Sequence, residues 1–215
     1  MRAYDLTTAH LVNPMGIDVQ CPGLSWKCCD GIGQSAYMIH AAASEDDLKA
    51  GRLLWDSGEI VSDESLNIVY SPALHTGDRV YWQVKLRDEQ LQWGEWSEPA
   101  FFEIGLLDKT DLCAKWINPE NSLHSGSASI EPSQPPVSLL RREFSLEKGF
   151  TRARLYISAL GMYEAWVNGC RVGDEVLTPG FTDMDRRRQY QTYDVTDILC
   201  SGDNAVGIAL ADGGP

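Results

Sequence analysis

The sequence predicts an all-β chain: a fibronectin-III- or immunoglobulin-like sandwich followed by a second sandwich. Three observations carry this. Apolar and polar residues alternate over short runs, as at residues 36–42 and 80–86, the period of a strand with one buried face. Clusters of Gly, Pro, Asn and Ser punctuate those runs at short intervals. Asn168-Gly169 lies between extended runs at 163–167 and 171–173, and Asn-Gly is the strongest short hairpin signal because both turn residues take positive φ.

The first domain is expected over residues 1–107. His10-Leu11-Val12 reads as a short strand, and Asn13-Pro14-Met15-Gly16 as a turn in which Pro fixes one φ and Gly frees another. Residues 24–26 follow as strand, and residues 36–42 alternate as a central strand. Ser44 before Glu45-Asp46-Asp47 reads as the N-cap of one helical turn, with acids where the helix dipole favours them. Residues 53–58, 66–70 and 80–86 are further strands, and residues 99–104 close the domain. About seven short strands at this spacing suit an immunoglobulin-like sandwich. Trp26 and Trp82 sit inside alternating strands, where large rings fill a sandwich interior. Trp93-Gly94-Glu95-Trp96-Ser97 reads as a loop rich in aromatics before the last strand, with structural bracing or, second, interdomain contact as its role.

Residues 108–136 read as a connector. Ala114-Lys115-Trp116-Ile117 is a short apolar strand beginning the second domain, and residues 118–136 are a surface loop rich in Ser, Pro, Gly and Asn. The second domain is expected over 137–215. Residues 139–144 and 154–159 make strands, the Asn168-Gly169 hairpin follows, and residues 205–210 form a last apolar strand after the turn Ser201-Gly202-Asp203-Asn204. Asp185-Arg186-Arg187-Arg188-Gln189 is a local basic run suited to surface salt bridges or to an anionic sugar.

Composition narrows the function. A formal net charge of −13 argues against binding a phosphate backbone, so no nucleic-acid partner is expected. Met1-Arg2-Ala3-Tyr4-Asp5 contains no apolar leader core, and no later run is long and apolar enough to span a bilayer. The expectation is a soluble, cytoplasmic chain with no membrane partner. The six cysteines are then free thiols, and neither Cys28-Cys29 nor the four scattered histidines make a zinc pattern. No Ser-His-Asp order, phosphate-cradling Gly loop or dinucleotide fingerprint is present.

The chain resembles a known family through many ordered motifs. Tyr163-Glu164-Ala165-Trp166-Val167-Asn168-Gly169, Val172-Gly173-Asp174, Leu177-Thr178-Pro179-Gly180-Phe181-Thr182-Asp183, Tyr190-Gln191-Thr192-Tyr193-Asp194-Val195-Thr196 and Gly202-Asp203-Asn204-Ala205 resemble the N-terminal, galactose-binding-like jelly-roll module of bacterial α-L-rhamnosidases. Asn13-Pro14-Met15-Gly16-Ile17-Asp18, Leu24-Ser25-Trp26, Leu54-Trp55-Asp56-Ser57-Gly58, Tyr81-Trp82-Gln83-Val84 and Trp96-Ser97-Glu98 are similar to the fibronectin-III-like domain preceding that module.

The resemblance implies a multidomain glycoside hydrolase that releases terminal α-L-rhamnose by an inverting route. Its catalytic acids would lie in a helical (α/α)6 barrel far downstream. This chain has neither the length nor the helical periodicity for that barrel, so no catalytic residue is assigned and the chain alone is expected to be inactive. Some modules of this type bind L-rhamnose through calcium. On that implication Tyr163 and Trp166 are candidates for stacking on a sugar, Asn168, Asp174 and Asp183 for polar contacts, and Asn168 and Asp174 for calcium. Each has a local alternative: Trp166 as core, Asn168 as turn former, Asp174 as solvated charge.

The family continues with a Gly-Asp-Gly-Trp-like element, whereas here the sequence reads Ala211-Asp212-Gly213-Gly214-Pro215. A jelly roll needs about eight strands and residues 137–215 supply roughly five or six, so the module is expected to be incomplete at its C-terminus. The expected partners are rhamnose-containing glycans and a missing catalytic domain or chain. The alternatives are a structural scaffold for such a chain, or a nonfunctional fragment.

Overall fold

The structure, a computed structural model, describes residues 1–117, 137–183 and 186–211. The expected surface loop at 118–136, Asp185 of the basic run and the closing residues 212–215 lie outside the described residues. The chain divides into two compact units, Met1–Cys113 and Ala114–Pro215.

In the first unit the strands run β1 (Arg2–Thr8), β2 (Met15–Ile17), β3 (Gly23–Cys29) and β4 (Gln34–Ala42). A short helix α1 (Glu45–Lys49) follows, then β5 (Trp55–Asp56), β6 (Ile68–Val69), β7 (Arg79–Asp88), β8 (Trp93–Trp96) and β9 (Ala100–Ile104). They form a three-stranded sheet in the order β1-β3-β6 and a larger sheet in the order β2-β9-β7-β4-β5, with β8 also paired to β7. Inward side chains of both sheets fill one core: Leu24 and Trp26 from β3, Tyr37 and Ile39 from β4, Trp82, Val84 and Leu86 from β7, and Phe102 and Ile104 from β9. Trp26 and Trp82 are fully buried, and each indole N–H has a partner, Gln34 Oε1 at 3.0 Å and Thr8 Oγ1 at 3.1 Å. Ser44 caps α1 as its sequence position predicts, its Oγ accepting the Asp47 N–H at 3.1 Å.

Four details differ from the expectation, the first being that Met15 and Gly16, expected in a turn, open strand β2 and pair with β9. The first strand is Arg2–Thr8, and residues 9–13 form the turn after it, with Ala9 and His10 at φ 50° and 66°. Asp5, at φ 53°, puts a register shift into β1 between Tyr4 and Thr7. That bulge breaks the two-residue period that would have marked the strand. Trp93-Gly94-Glu95-Trp96 is a paired strand instead of a loop, and Ser97 bonds Val84 through both its main-chain N–H (2.9 Å) and its hydroxyl (3.1 Å). Residues 114–117 carry no strand, and Trp116 lies exposed beneath the Arg188 guanidinium at 5.5 Å.

In the second unit the strands are β10 (Ser138–Leu146), β11 (Arg154–Ile157), β12 (Met162–Val167), β13 (Cys170–Arg171), β14 (Gln191–Asp194) and β15 (Gly202–Ala211). One sheet has the order β10-β15-β12-β13, and β11 pairs with β14 in a second. The core between them gathers Ala159, Tyr163, Ala165, Val167, Val172, Tyr193 and Val195. The Asn168-Gly169 hairpin forms as predicted, with Val167 opposite Cys170 and φ of 51° and 83° at the two turn residues.

Candidate functional site

The four-stranded sheet of the second unit sorts the candidate residues by face. Side chains along β12 alternate, so Tyr163, Ala165 and Val167 point into the core while Met162, Glu164 and Trp166 face outward. Tyr163 and Trp166 are three residues apart and therefore lie on opposite faces. The structure does not bring them together as one stacking platform.

Tyr163 is a core residue. Its hydroxyl donates to Gln191 Oε1 at 2.8 Å and lies 3.4 Å from the Tyr193 hydroxyl. Its main chain bonds Thr178 twice, N–H to carbonyl at 2.9 Å and carbonyl from the Thr178 hydroxyl at 2.6 Å. Burial, then the bond to Tyr193, raises the Tyr163 phenol far above its ordinary range, and burial raises Tyr193 as well. Both remain neutral donors.

Asn168 works as a staple. Its Nδ2 donates to the Ile198 carbonyl and to Asn204 Oδ1, each at 2.8 Å, and its Oδ1 accepts the Ala205 N–H at 2.9 Å. Asn204, itself buried, donates onward to the Cys200 and Gly202 carbonyls. The hairpin tip is thus tied to the turn leading into β15. Both amide hydrogens of Asn168 are committed to this network.

Asp174 is exposed, and Asp183 is exposed with its carboxylate 3.6 Å from Arg186 Nε. A calcium ion takes six to eight oxygens, roughly, in one cage. Asn168 and Asp174 do not supply one, and among the described residues no group of three or more His, Cys, Asp or Glu is placed to hold a metal ion.

The outward face around Trp166 has a different character. Half-buried Trp166 pairs across the ladder with Arg171 on one side and Gly207 on the other. The Arg171 guanidinium bonds the Gly173 and Glu175 carbonyls at 2.8 and 2.7 Å and approaches Glu164 Oε1 at 3.6 Å. Glu164 itself faces Ala209 of β15. An aromatic ring, a carboxylate and a guanidinium therefore flank a floor of small residues. Arg171 and Glu164 were not singled out in the sequence; the two-residue period with the hairpin register would have found them beside Trp166. Such a surface can stack on the C–H face of a sugar and bond its hydroxyls.

The fold defines the class first: an all-β chain of two units, the first immunoglobulin-like. Residues 3–108 match the family described as the Rha78A-like N-terminal immunoglobulin domain, and residues 148–214 match the α-L-rhamnosidase N-terminal domain. An α-L-rhamnosidase of Formosa agariphila is 36% identical over 219 residues, covering 94% of this chain and 23% of its own length. The solved structure of an α-L-rhamnosidase from Dictyoglumus thermophilum superposes with a TM-score of 0.85 at 31% identity, covering 99% of this chain and 25% of its own. That of Streptomyces avermitilis, described as complexed with L-rhamnose, gives a TM-score of 0.54 at 28% identity, covering 99% and 22%. The chain belongs to the α-L-rhamnosidase family as its N-terminal region. It spans about a quarter of the length of these relatives.

Proposed function

We propose that this chain is the noncatalytic N-terminal portion of an α-L-rhamnosidase-like glycoside hydrolase, and that residues 137–215 form a jelly-roll module that binds L-rhamnose at the end of a glycan. In this reading residues 1–107 are the immunoglobulin-like domain and 108–136 the connector, and the catalytic acids belong to a barrel outside this chain. The observation that carries the sugar-binding part is the outward Trp166 beside the Glu164–Arg171 pair. Trp166 supplies the stacking surface, Glu164 and Arg171 bond hydroxyls, and exposed Asp174 and Asp183 add polar contacts from the following loop. Tyr163 and Asn168 support this surface from beneath by holding the core and the hairpin. The Streptomyces avermitilis relative, whose structure is described as containing L-rhamnose, supports the choice of sugar.

The test is an NMR titration of the 215-residue chain with L-rhamnose, following assigned tryptophan indole signals. A saturable shift of the Trp166 signal is expected, with a Kd on the order of 1 mM. It should vanish in Glu164→Gln/Arg171→Ala. An unmoved Trp166 signal at saturating L-rhamnose removes the sugar-binding reading.

A further inference from the structure

The first unit contains a cleft of about 510 Å³ along the edge of its sandwich. The cleft lies at β5 and β6, edge strands of the two sheets and each two residues long. The intervening chain crosses from one sheet to the other and is pinned along its length. Ile60 exchanges main-chain bonds with Tyr37 at 2.9 Å, the Gln34 amide donates to the Ser62 and Glu64 carbonyls at 3.0 and 2.8 Å, and the Trp26 N–H reaches the Ser65 carbonyl at 3.0 Å. Asn67 N–H then bonds Ser25 Oγ at 2.9 Å. The wall is preformed, as binding clefts of this size usually are.

Its lining mixes polar and aromatic side chains (Tyr37, Trp55, Asp56, Glu64, Asn67 and Ser71 among them) with the aliphatic Ile60, Ile68 and Val69, and no Lys, Arg or His contributes. Tyr37 is the informative member. Its residue is 6% exposed, and its ring packs edge-on against Trp26 at 5.2 Å between centroids. A buried phenol normally has a hydrogen-bond partner. The Tyr37 hydroxyl has no protein partner among the described residues, and it is not shut off from solvent: it opens onto the cleft that Tyr37 lines. Burial, with the Glu64 charge behind it, raises the phenol above its ordinary range, so it stays a donor. The Glu64 carboxylate and the side chains of Asn67 and Ser71 also have no partner among the described residues. Trp55 is held in place by an edge-on contact with buried Tyr70 at 5.1 Å.

We propose that this cleft binds a neutral mono- or disaccharide, with Trp55 against the sugar ring, the Tyr37 hydroxyl and Asn67 amide bonding its oxygens, and Glu64 accepting from its hydroxyls. The chemistry selects this class. Asp56, which lies 3.5 Å from His40 Nε2, and Glu64 put two carboxylates in a lining that holds no Lys, Arg or His, and these disfavour an anionic ligand such as a uronate or a phosphate. An ammonium or guanidinium cation offers only donors and a metal ion no hydrogen-bonding atom, so either leaves the hydrogens of Tyr37, Asn67 and Ser71 unanswered. Sugar hydroxyls both donate and accept, and so satisfy the whole set.

The site is separate from the Trp166 surface, so the two readings stand or fall independently. The test is the same indole-resolved NMR on the full 215-residue chain, titrated in turn with L-rhamnose, D-galactose, maltose and cellobiose, and with methylguanidinium and glucuronate as cationic and anionic controls. At least one neutral sugar should move the Trp55 signal saturably. Tyr37→Phe, which keeps the buried ring, should weaken that sugar about tenfold, the loss of roughly one hydrogen bond. Glu64→Gln, at an exposed position, should weaken it similarly with an unchanged spectrum elsewhere. A Trp55 signal that moves only with methylguanidinium, a response confined to Trp166, or full affinity in both variants would overturn the proposal.

Discussion

Replacing Asn168 with Ala removes three side-chain hydrogen bonds and leaves a Cβ-bearing residue at φ 51°. At roughly 1 kcal/mol net per bond, with some solvent compensation at this exposed tip, the second unit should lose about 2–3 kcal/mol. Urea unfolding followed by second-unit NMR signals checks this, and Asn168→Gly should recover the backbone part alone. Buried phenols set a second residue-scale effect. Burial pushes Tyr70, 1% exposed, from 10.0 up to about 12, and Tyr163 moves in the same direction. An unfolded chain releases these protons at lower pH than the folded one, so this contribution to stability is complete below pH about 10 and is lost as pH rises toward about 12. Denaturation midpoints at about pH 8 and about pH 11 should show that fall, and Tyr70→Phe should flatten part of it. The hairpin role of Asn168 was legible in the sequence because Asn-Gly states its own backbone geometry. Its bonds to Ile198 and Asn204 were not, since those partners lie 30 and 36 residues away.

The strands show where periodicity speaks and where it is silent. β4 and β7 carry long runs of alternating side chains and were found within two residues of their ends. β1 was missed because the Asp5 bulge shifts its register. β8 was missed because its aromatic side chains face polar neighbours on the outer surface: Lys85 Nζ lies 5.9 Å from both the Trp93 and Trp96 rings, and His40 stacks on Trp96 at 4.2 Å. No buried alternation marks such a strand. β8 also makes a prediction of its own. A Cβ at Gly94 would run into the Met1 carbonyl oxygen, a main-chain atom that cannot swing away like a side-chain tip. Gly94→Ala should therefore cost about 1–3 kcal/mol. Hydrogen exchange should show the loss of protection concentrated in Arg2–Thr8, which begins beside it. The opposite facing of Tyr163 and Trp166 was legible too, from their odd separation on one strand, and applying that rule removes their shared platform.

At the scale of the molecule, the chain spans about a quarter of its relatives, and the proposal places the chemistry in the rest. The 215-residue chain should release no p-nitrophenol from p-nitrophenyl α-L-rhamnoside, and measurable turnover would contradict that assignment. Because no group of three or more His, Cys, Asp or Glu is placed to hold a metal ion among the described residues, exchanging calcium for a chelator should leave the melting temperature within about 1 °C. What the sequence determined by itself was the all-β class, the hairpin, the helix cap, the buried tryptophans and the family. These follow from local backbone chemistry, two-residue patterning and ordered motifs, all written along the chain. Tertiary structure alone decided that Asn168 is a staple, that Glu164 and Arg171 join Trp166 on an outward face, and that Tyr37 leaves its hydroxyl unpartnered at a cleft. Those outcomes depend on which distant segments pair and in what register, and residues far apart in sequence meet only when the sheets are assembled.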